Sequence, residues 1–201
     1  MLFKRNSDVY QNAFPNWQKN FMENDEYFSL YATHFKKAAD QLILSIESNN
    51  GHIADTLINP AIYLYRHSIE LSLKAILYKN YFDQKLDPEK IIEKLDGHNL
   101  QSLWDKANNE IRANYNFVST QAHKNELKKL GELISELNLT DTGSMNYRYP
   151  FDKELVEFVQ GDGKESFGID YINMMQEFEY LHNRLNDWIY ESLVLSSENQ
   201  E

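Results

Sequence analysis

The stretch that decides the fold is NPAIYLYRHSIELSLKAIL, residues 59–77. Asn59 followed by Pro60 is a helix-start signal, because asparagine caps helices and proline suits the first helical position. When the stretch is placed on a wheel at about 100° per residue, apolar side chains cover two faces and small residues lie between them. The pattern therefore predicts a helix from Asn59 to about Lys79 that is packed on most of its sides.

A narrow polar stripe runs along the remaining face of this helix. It carries Tyr63, His67, Glu70 and Lys74 at steps of four, three and four residues, with Arg66 on its edge. A helix that is buried elsewhere cannot leave an imidazole, a carboxylate and an ammonium group unpaired. Three interpretations follow: the stripe is a satisfied ion-pair ladder from Arg66 through Glu70 to Lys74, it meets another segment of the chain, or it faces a ligand-binding cleft.

The flanking sequence predicts further helices and one long connection. Apolar stripes and start signals place helices at 24–47, at 87–95, from His98 onward and at about 119–137, and Asp170 caps a C-terminal helix over 170–195. Four glycines and Pro150 interrupt residues 140–168, which predicts a long ordered loop. We therefore expect one all-α domain over residues 1–201, with an N-terminal extension at 1–23 and helices across 24–137.

Composition excludes several classes of site. The chain has 201 residues and no cysteine, so disulfides, zinc thiolate sites and thiol nucleophiles are absent. Its net charge of -11 argues against sequence-independent binding of nucleic acid by the whole surface. No glycine-rich phosphate loop is present, so no cofactor is indicated. No apolar stretch is long enough for a leader or a membrane span, and we expect a cytoplasmic protein without a membrane partner.

Two residues outside the second helix complete a candidate ligand-binding set with Arg66, His67, Glu70 and Lys74. His98 either caps the helix that follows it or stands beside the polar stripe. Arg148, between Tyr147 and Tyr149, either reaches over a cleft or pins the loop to the surface.

A separate pair, Glu179 and His182, forms the Glu-x-x-His element of di-iron helical bundles. Such sites need a second copy of this element and two further glutamates, and the chain has one copy. We therefore expect an exposed helix face here and no metal.

Three blocks of sequence resemble bacterial HEPN-like helical proteins. The blocks are Arg66-His67-x-x-Glu70-Leu-x-Leu-Lys74-Ala-Ile-Leu, Gly97-His98-Asn-Leu100-x-x-Leu103-Trp104 and Asn146-Tyr147-Arg148-Tyr149-Pro150. The resemblance extends from about Asn59 to Trp188. It implies an up-and-down helical bundle that often dimerises and that occurs in antiphage defence, toxin–antitoxin and nucleotide- or RNA-handling systems, with a protein partner from the same operon.

The chain departs from the RNases of that family. Those enzymes carry an arginine and a histidine four to six residues apart on a late helix, and none of the five arginines here is followed by a histidine at that distance. The expected function is therefore binding of a nucleotide or RNA without the usual RNase pair, and no catalytic residue is named. The alternative is a non-catalytic dimerisation or partner-docking protein.

Overall fold

The two longest helices pack along each other as a hairpin. In a computed structural model, which describes residues 7–13, 23–114, 119–158 and 168–198, helix α1 spans Asn24–Ser48 and helix α2 spans Ala54–Asp83. Gly51 lies in the turn between them at a φ of +76°, where a side chain would be strained. Ile43 of α1 and Ile69 of α2 are buried in one continuous core, so the hairpin is held by apolar contact along its length.

The predicted start of α2 is wrong, because the helix begins at Ala54, five residues earlier. Pro60 therefore lies inside the helix, where it cannot donate a hydrogen bond to the carbonyl of Thr56. The proline is exposed and the loss is confined to that one bond. Leu57 and Ile58 pack against the core, and this burial favours the extra helical turn that the local start signal does not report.

The remaining helices are shorter and surround α2. They are α3 (Pro88–Leu95), α4 (Leu100–Asn114), α5 (Gln121–Thr140), α6 (Tyr171–Asn183) and α7 (Glu191–Glu198). A π-helical segment, Arg184–Tyr190, joins α6 to α7 without a break. Helix α2 packs against α1, α3, α4, α6, the π segment and α7, and α4 packs against α5. The all-α helical bundle is confirmed.

Two predicted helix caps are confirmed in atomic detail. The carboxylate of Asp87 accepts a hydrogen bond from the backbone N–H of Glu89, with Pro88 at the first helical position. The carboxylate of Asp170 accepts one from the N–H of Asn173. Each cap satisfies a backbone donor that the first turn of a helix leaves unpaired.

Part of the predicted loop lies in the described residues. The chain turns after α5, and an isolated antiparallel bridge joins Phe151 to Glu157; no β-strand occurs in the described ranges. Residues 159–167 of the predicted loop, and residues 1–6 and 14–22 of the predicted N-terminal extension, lie outside the described residues. None of the described helices combines the length and apolar character that crossing a bilayer requires.

Candidate functional site

Arg66 lies at the centre of the predicted polar set and is fully buried, with 0% of its surface exposed. Its Nη2 donates a hydrogen bond of 2.7 Å to the carbonyl of His98, and its Nε donates one of 3.2 Å to the carbonyl of Asp141. Its Nη1 lies 3.5 Å from Oε2 of Glu70. Arg66 thus joins α2 to the α3–α4 connection and to the segment after α5.

This placement corrects the assignment of Arg66 to the ligand-binding set. Arg66 does lie beside the polar stripe, but it is fully buried and all three of its guanidinium nitrogens have protein partners. Burial lowers the pKa of Arg66, and the carboxylates of Asp141 and Glu70 oppose this effect. A guanidinium group that is fully buried and held by partners at all three nitrogens positions other residues and is shielded from a ligand in solvent.

Glu70 is the carboxylate that links the buried and exposed parts of the set. It is 1% exposed, and its Oε1 lies 3.0 Å from Nζ of Lys74 and 2.9 Å from Nδ1 of His98. Burial alone raises the pKa of Glu70, but Lys74 and His98 outweigh it and hold the pKa below its usual value. The ion-pair ladder from Arg66 through Glu70 to Lys74 is present, and His98 extends it to the surface.

His98 does not cap α4. The cap is Asn99, whose Oδ1 accepts a hydrogen bond of 2.8 Å from the N–H of Ser102. The side chain of His98 is 63% exposed and stands beside the polar stripe, with Nδ1 directed at Glu70. Its Nε2 has no hydrogen-bond partner within the described parts of the chain, so a carboxylate fixes one side of the imidazole ring and solvent meets the other.

His67 lies deeper than His98 and is held by aromatic rings. Its ring meets Phe35 of α1 edge-on with centroids 4.5 Å apart and lies parallel to Tyr63 at 6.0 Å. Burial is the main cause of the lowered pKa of His67; Glu70 opposes this effect, and Lys74, His98 and Arg66 lower the pKa further. A half-buried imidazole with this bias is neutral at neutral pH and serves as a polar edge within an aromatic surface.

Arg148 is exposed and reaches back to α2. Its guanidinium carbon lies 5.5 Å from the ring centroid of Tyr63 and 5.5 Å from that of Tyr149, within cation–π range. Its Nε donates a hydrogen bond to the carbonyl of Ser144. The side chain therefore holds its own loop and borders a cleft of about 370 Å³ that Glu157 also lines, whereas His67, Glu70 and Lys74 do not line that cleft.

Asp141, which no sequence pattern singles out, pairs with Arg66 and holds the first turn of the loop after α5. Asp141 is fully buried, and its Oδ1 accepts hydrogen bonds from the N–H groups of Met145 and Asn146. Its Oδ2 lies 3.5 Å from Nε of Arg66 and makes an ion pair without a hydrogen bond. A lone aspartate after an amphipathic helix gives no signal by itself, because its partner is 75 residues away in sequence.

His182 lies on a buried face, which corrects the predicted exposed helix face at this position. Its Nδ1 lies 3.3 Å from Oγ of Ser68, and its Nε2 lies 3.3 Å from Oγ1 of Thr33. Glu179 is exposed and pairs with Lys36, so the two members of the predicted metal element point to different surroundings. No group of three or more histidine, aspartate or glutamate side chains in the described residues is arranged to hold a metal ion.

Of the six predicted site residues, the structure places four around one patch. His98, Lys74 and Glu70 are in direct contact, and His67 is within electrostatic range of all three. Arg148 lies farther along α2, over Tyr63, and Arg66 lies beneath the patch. Comparisons with protein-family models, with curated proteins and with solved structures give no match for this chain.

Proposed function

We propose that this chain binds the phosphate of a nucleotide or of RNA at the patch formed by His67, Lys74 and His98, with Arg148 at its far end. The observation that carries the proposal is the exposed imidazole of His98, held at 2.9 Å by a buried carboxylate. Because the ionised carboxylate of Glu70 can only accept a hydrogen bond, Nδ1 carries the proton of that contact, and Nε2 presents an N–H to solvent when the ring is protonated. Phosphate oxygens accept hydrogen bonds from donors of this kind.

The local charge supports an anionic ligand. Arg66 and Lys74 pair with the carboxylates of Glu70 and Asp141, and Arg148, over Tyr63, makes no ion pair within the described residues, which leaves one unpaired positive charge in the set before any histidine is protonated. The chain as a whole carries a net charge of -11. A small cationic patch on an acidic surface favours a short or terminal phosphate over a long polyanion, because the rest of the surface repels the latter.

The resemblance to HEPN-like proteins supports the same class of ligand and a role in a bacterial defence or toxin–antitoxin system. The chain lacks the spaced Arg and His pair of the family's RNases. We therefore propose binding without RNA cleavage. Incubation with a labelled single-stranded RNA should leave the RNA intact, as resolved on a denaturing gel.

Calorimetric titration of the full chain tests the binding proposal. Adenosine monophosphate, adenosine triphosphate and a short RNA serve as probes. A ligand present at a hundred times its dissociation constant also raises the free energy of unfolding by about 2.7 kcal/mol. His98→Ala should weaken binding about tenfold, since it removes a hydrogen bond to a charged group. Arg112→Ala removes an exposed cation on α4 whose Nε is hydrogen-bonded to Asn108, and it should have no effect. Binding that is absent, or equal in all three proteins, refutes the proposal.

A second candidate function is docking of a protein partner, and the loop after α5 favours it. Tyr149, Phe151, Leu155 and Val156 are all exposed there, and Leu155 is 80% exposed. The bridge between Phe151 and Glu157 holds these apolar side chains in one turn. A cluster of exposed apolar side chains often marks a protein–protein contact.

A further inference from the structure

An aromatic groove of about 620 Å³ lies between α1, α2 and α3 and shares only His67 with the polar set described above. Tyr27, Phe28, Tyr31 and Phe35 of α1 line one side, and Tyr78 of α2 lines another. Phe28 and Tyr78 have ring centroids 6.2 Å apart, so the walls already contact each other through their rings. The volume is in the range of sites for small ligands.

On its α2 and α3 sides the groove lies next to Lys74 and His98. On α2, His67, Leu71, Lys74 and Tyr78 follow one another at steps of four, three and four residues and share one helix face. Three of these residues line the groove, and Lys74 stands beside it. On α3, the terminal Leu95 lines the groove, and the chain leads from it to His98 in three residues.

His67 belongs to both regions. It borders the groove, and its ring packs edge-on against Phe35. It is also close enough to Lys74 and His98 for their charges to act on it. A ligand that extends from the groove past His67 therefore contacts aromatic rings at one end and Lys74 and His98 at the other.

We propose that the groove receives the base of a nucleotide whose phosphate lies at Lys74 and His98. This inference rests on the proposed function and adds the site for the base. Bases stack on aromatic side chains, and a phosphate takes hydrogen bonds from cations. A nucleotide presents a flat ring and an anion side by side, which matches the groove and the patch. An apolar helix of a second copy would fill the groove but would bring no anion to Lys74 and His98 beyond their contact with Glu70.

Titration calorimetry with paired probes tests this assignment. Adenosine monophosphate and uridine monophosphate carry a base, whereas ribose 5-phosphate presents the same sugar and phosphate without one. We expect at least one of the two nucleotides to bind about tenfold or more tightly than ribose 5-phosphate. Tyr31→Ala should remove most of that difference and leave ribose 5-phosphate binding unchanged.

The matched control is Leu44→Ala, since Leu44 lies on the same helix, outside the groove, and is 44% exposed compared with 40% for Tyr31. It should alter neither affinity. Equal binding of nucleotides and ribose 5-phosphate overturns the base site and leaves the phosphate site standing. Absence of binding by all three probes overturns both. A fall in molar mass on Tyr31→Ala, measured by light scattering, would show that a second copy occupies the groove and would also overturn the proposal.

Discussion

At the scale of single residues, the arrangement of the polar set depends on Glu70. It is the carboxylate through which Arg66, Lys74 and His98 are connected, and two of these three side chains are themselves nearly or fully buried. Charges removed from water are tolerated only when each has a partner. Glu70 therefore holds the exposed imidazole in place and also compensates the cation beneath it.

We predict that Glu70→Ala lowers the free energy of unfolding by about 3 to 5 kcal/mol, because it leaves the buried Arg66 with only Asp141 as a counter-ion. Chemical denaturation followed by circular dichroism measures this change. The matched control is Glu132→Ala, which breaks an exposed pair with Lys128 at the same spacing and should cost less than about 1 kcal/mol. Equal effects of the two substitutions would mean that the network is not buried in solution.

At the scale of helices, the contact of α4 with α5 depends on a glycine. An added Cβ at Gly131 would lie 2.8 Å from Nε1 of Trp104, a buried side chain that cannot move aside freely. Helix α4 begins two residues after His98, so the packing of α4 against its neighbours also affects the position of the imidazole. Gly131 thus matters because it lets α4 and α5 approach each other closely, and not because it gives the backbone extra freedom.

We predict that Gly131→Ala destabilises the protein by about 1 to 3 kcal/mol, although alanine is the better helix former by about 1 kcal/mol. The steric cost should exceed the gain in propensity because the indole is packed on all sides. Thermal unfolding measures the sign. Gly143→Ala is the control, since its added Cβ makes only ordinary contact at 3.5 Å. A rise in melting temperature with Gly131→Ala would contradict the packing described here.

At the scale of the whole molecule, a polar network crosses the core between α1, α2 and the C-terminal segment. His182 contacts Ser68 and Thr33, and Asn186 of the π segment donates a hydrogen bond of 2.8 Å to Oγ of Ser72. Because each group has partners on another helix, the network fixes the register of three helices. Because His182 is titratable, the network also makes the stability of the fold depend on pH.

Burial lowers the pKa of His182 to about 4, from an ordinary 6.5. As the pH falls below 6.5, the unfolded chain takes up a proton that the folded chain refuses until about pH 4, so stability decreases across this window. We predict a loss of about 3 kcal/mol in the free energy of unfolding between pH 7 and pH 4 from this residue. Urea denaturation at several pH values measures it.

His182→Gln provides the comparison, because glutamine keeps a hydrogen-bonding group and does not titrate. His67 has a lowered pKa that acts in the same direction, whereas the raised pKa of Asp25 acts in the opposite one. The difference between wild type and variant isolates His182. Parallel curves for the two proteins from pH 7 to pH 4 would refute the assignment.

We also predict a homodimer, and the exposed apolar turn at 149–156 is the surface we expect to form it. Leu155→Asp should dissociate the dimer, because it puts a charge at the most exposed apolar position of that turn. Light scattering at micromolar concentration gives the mass. A monomeric wild-type protein would contradict this prediction without bearing on the phosphate patch.

Much of the architecture could be predicted from local patterns. Two features depend only on residues within a few positions of one another: the apolar periodicity of α1 and α2, and the caps at Asp87 and Asp170. Helix formation itself depends on residues over this same short range. Local pattern also placed Glu70 between Arg66 and Lys74, since a spacing of four residues brings side chains together on any helix.

The tertiary structure alone decided what that polar set is. Whether Arg66 is an open ligand residue or a buried clamp depends on the carbonyls of His98 and Asp141, which lie 32 and 75 residues away. The same holds for His182, whose burial is set by α1 and α2. A helical pattern fixes which side chains share a face, but hydrogen bonds and burial across distant segments fix which face meets water, and only the latter determines which residues a ligand can reach.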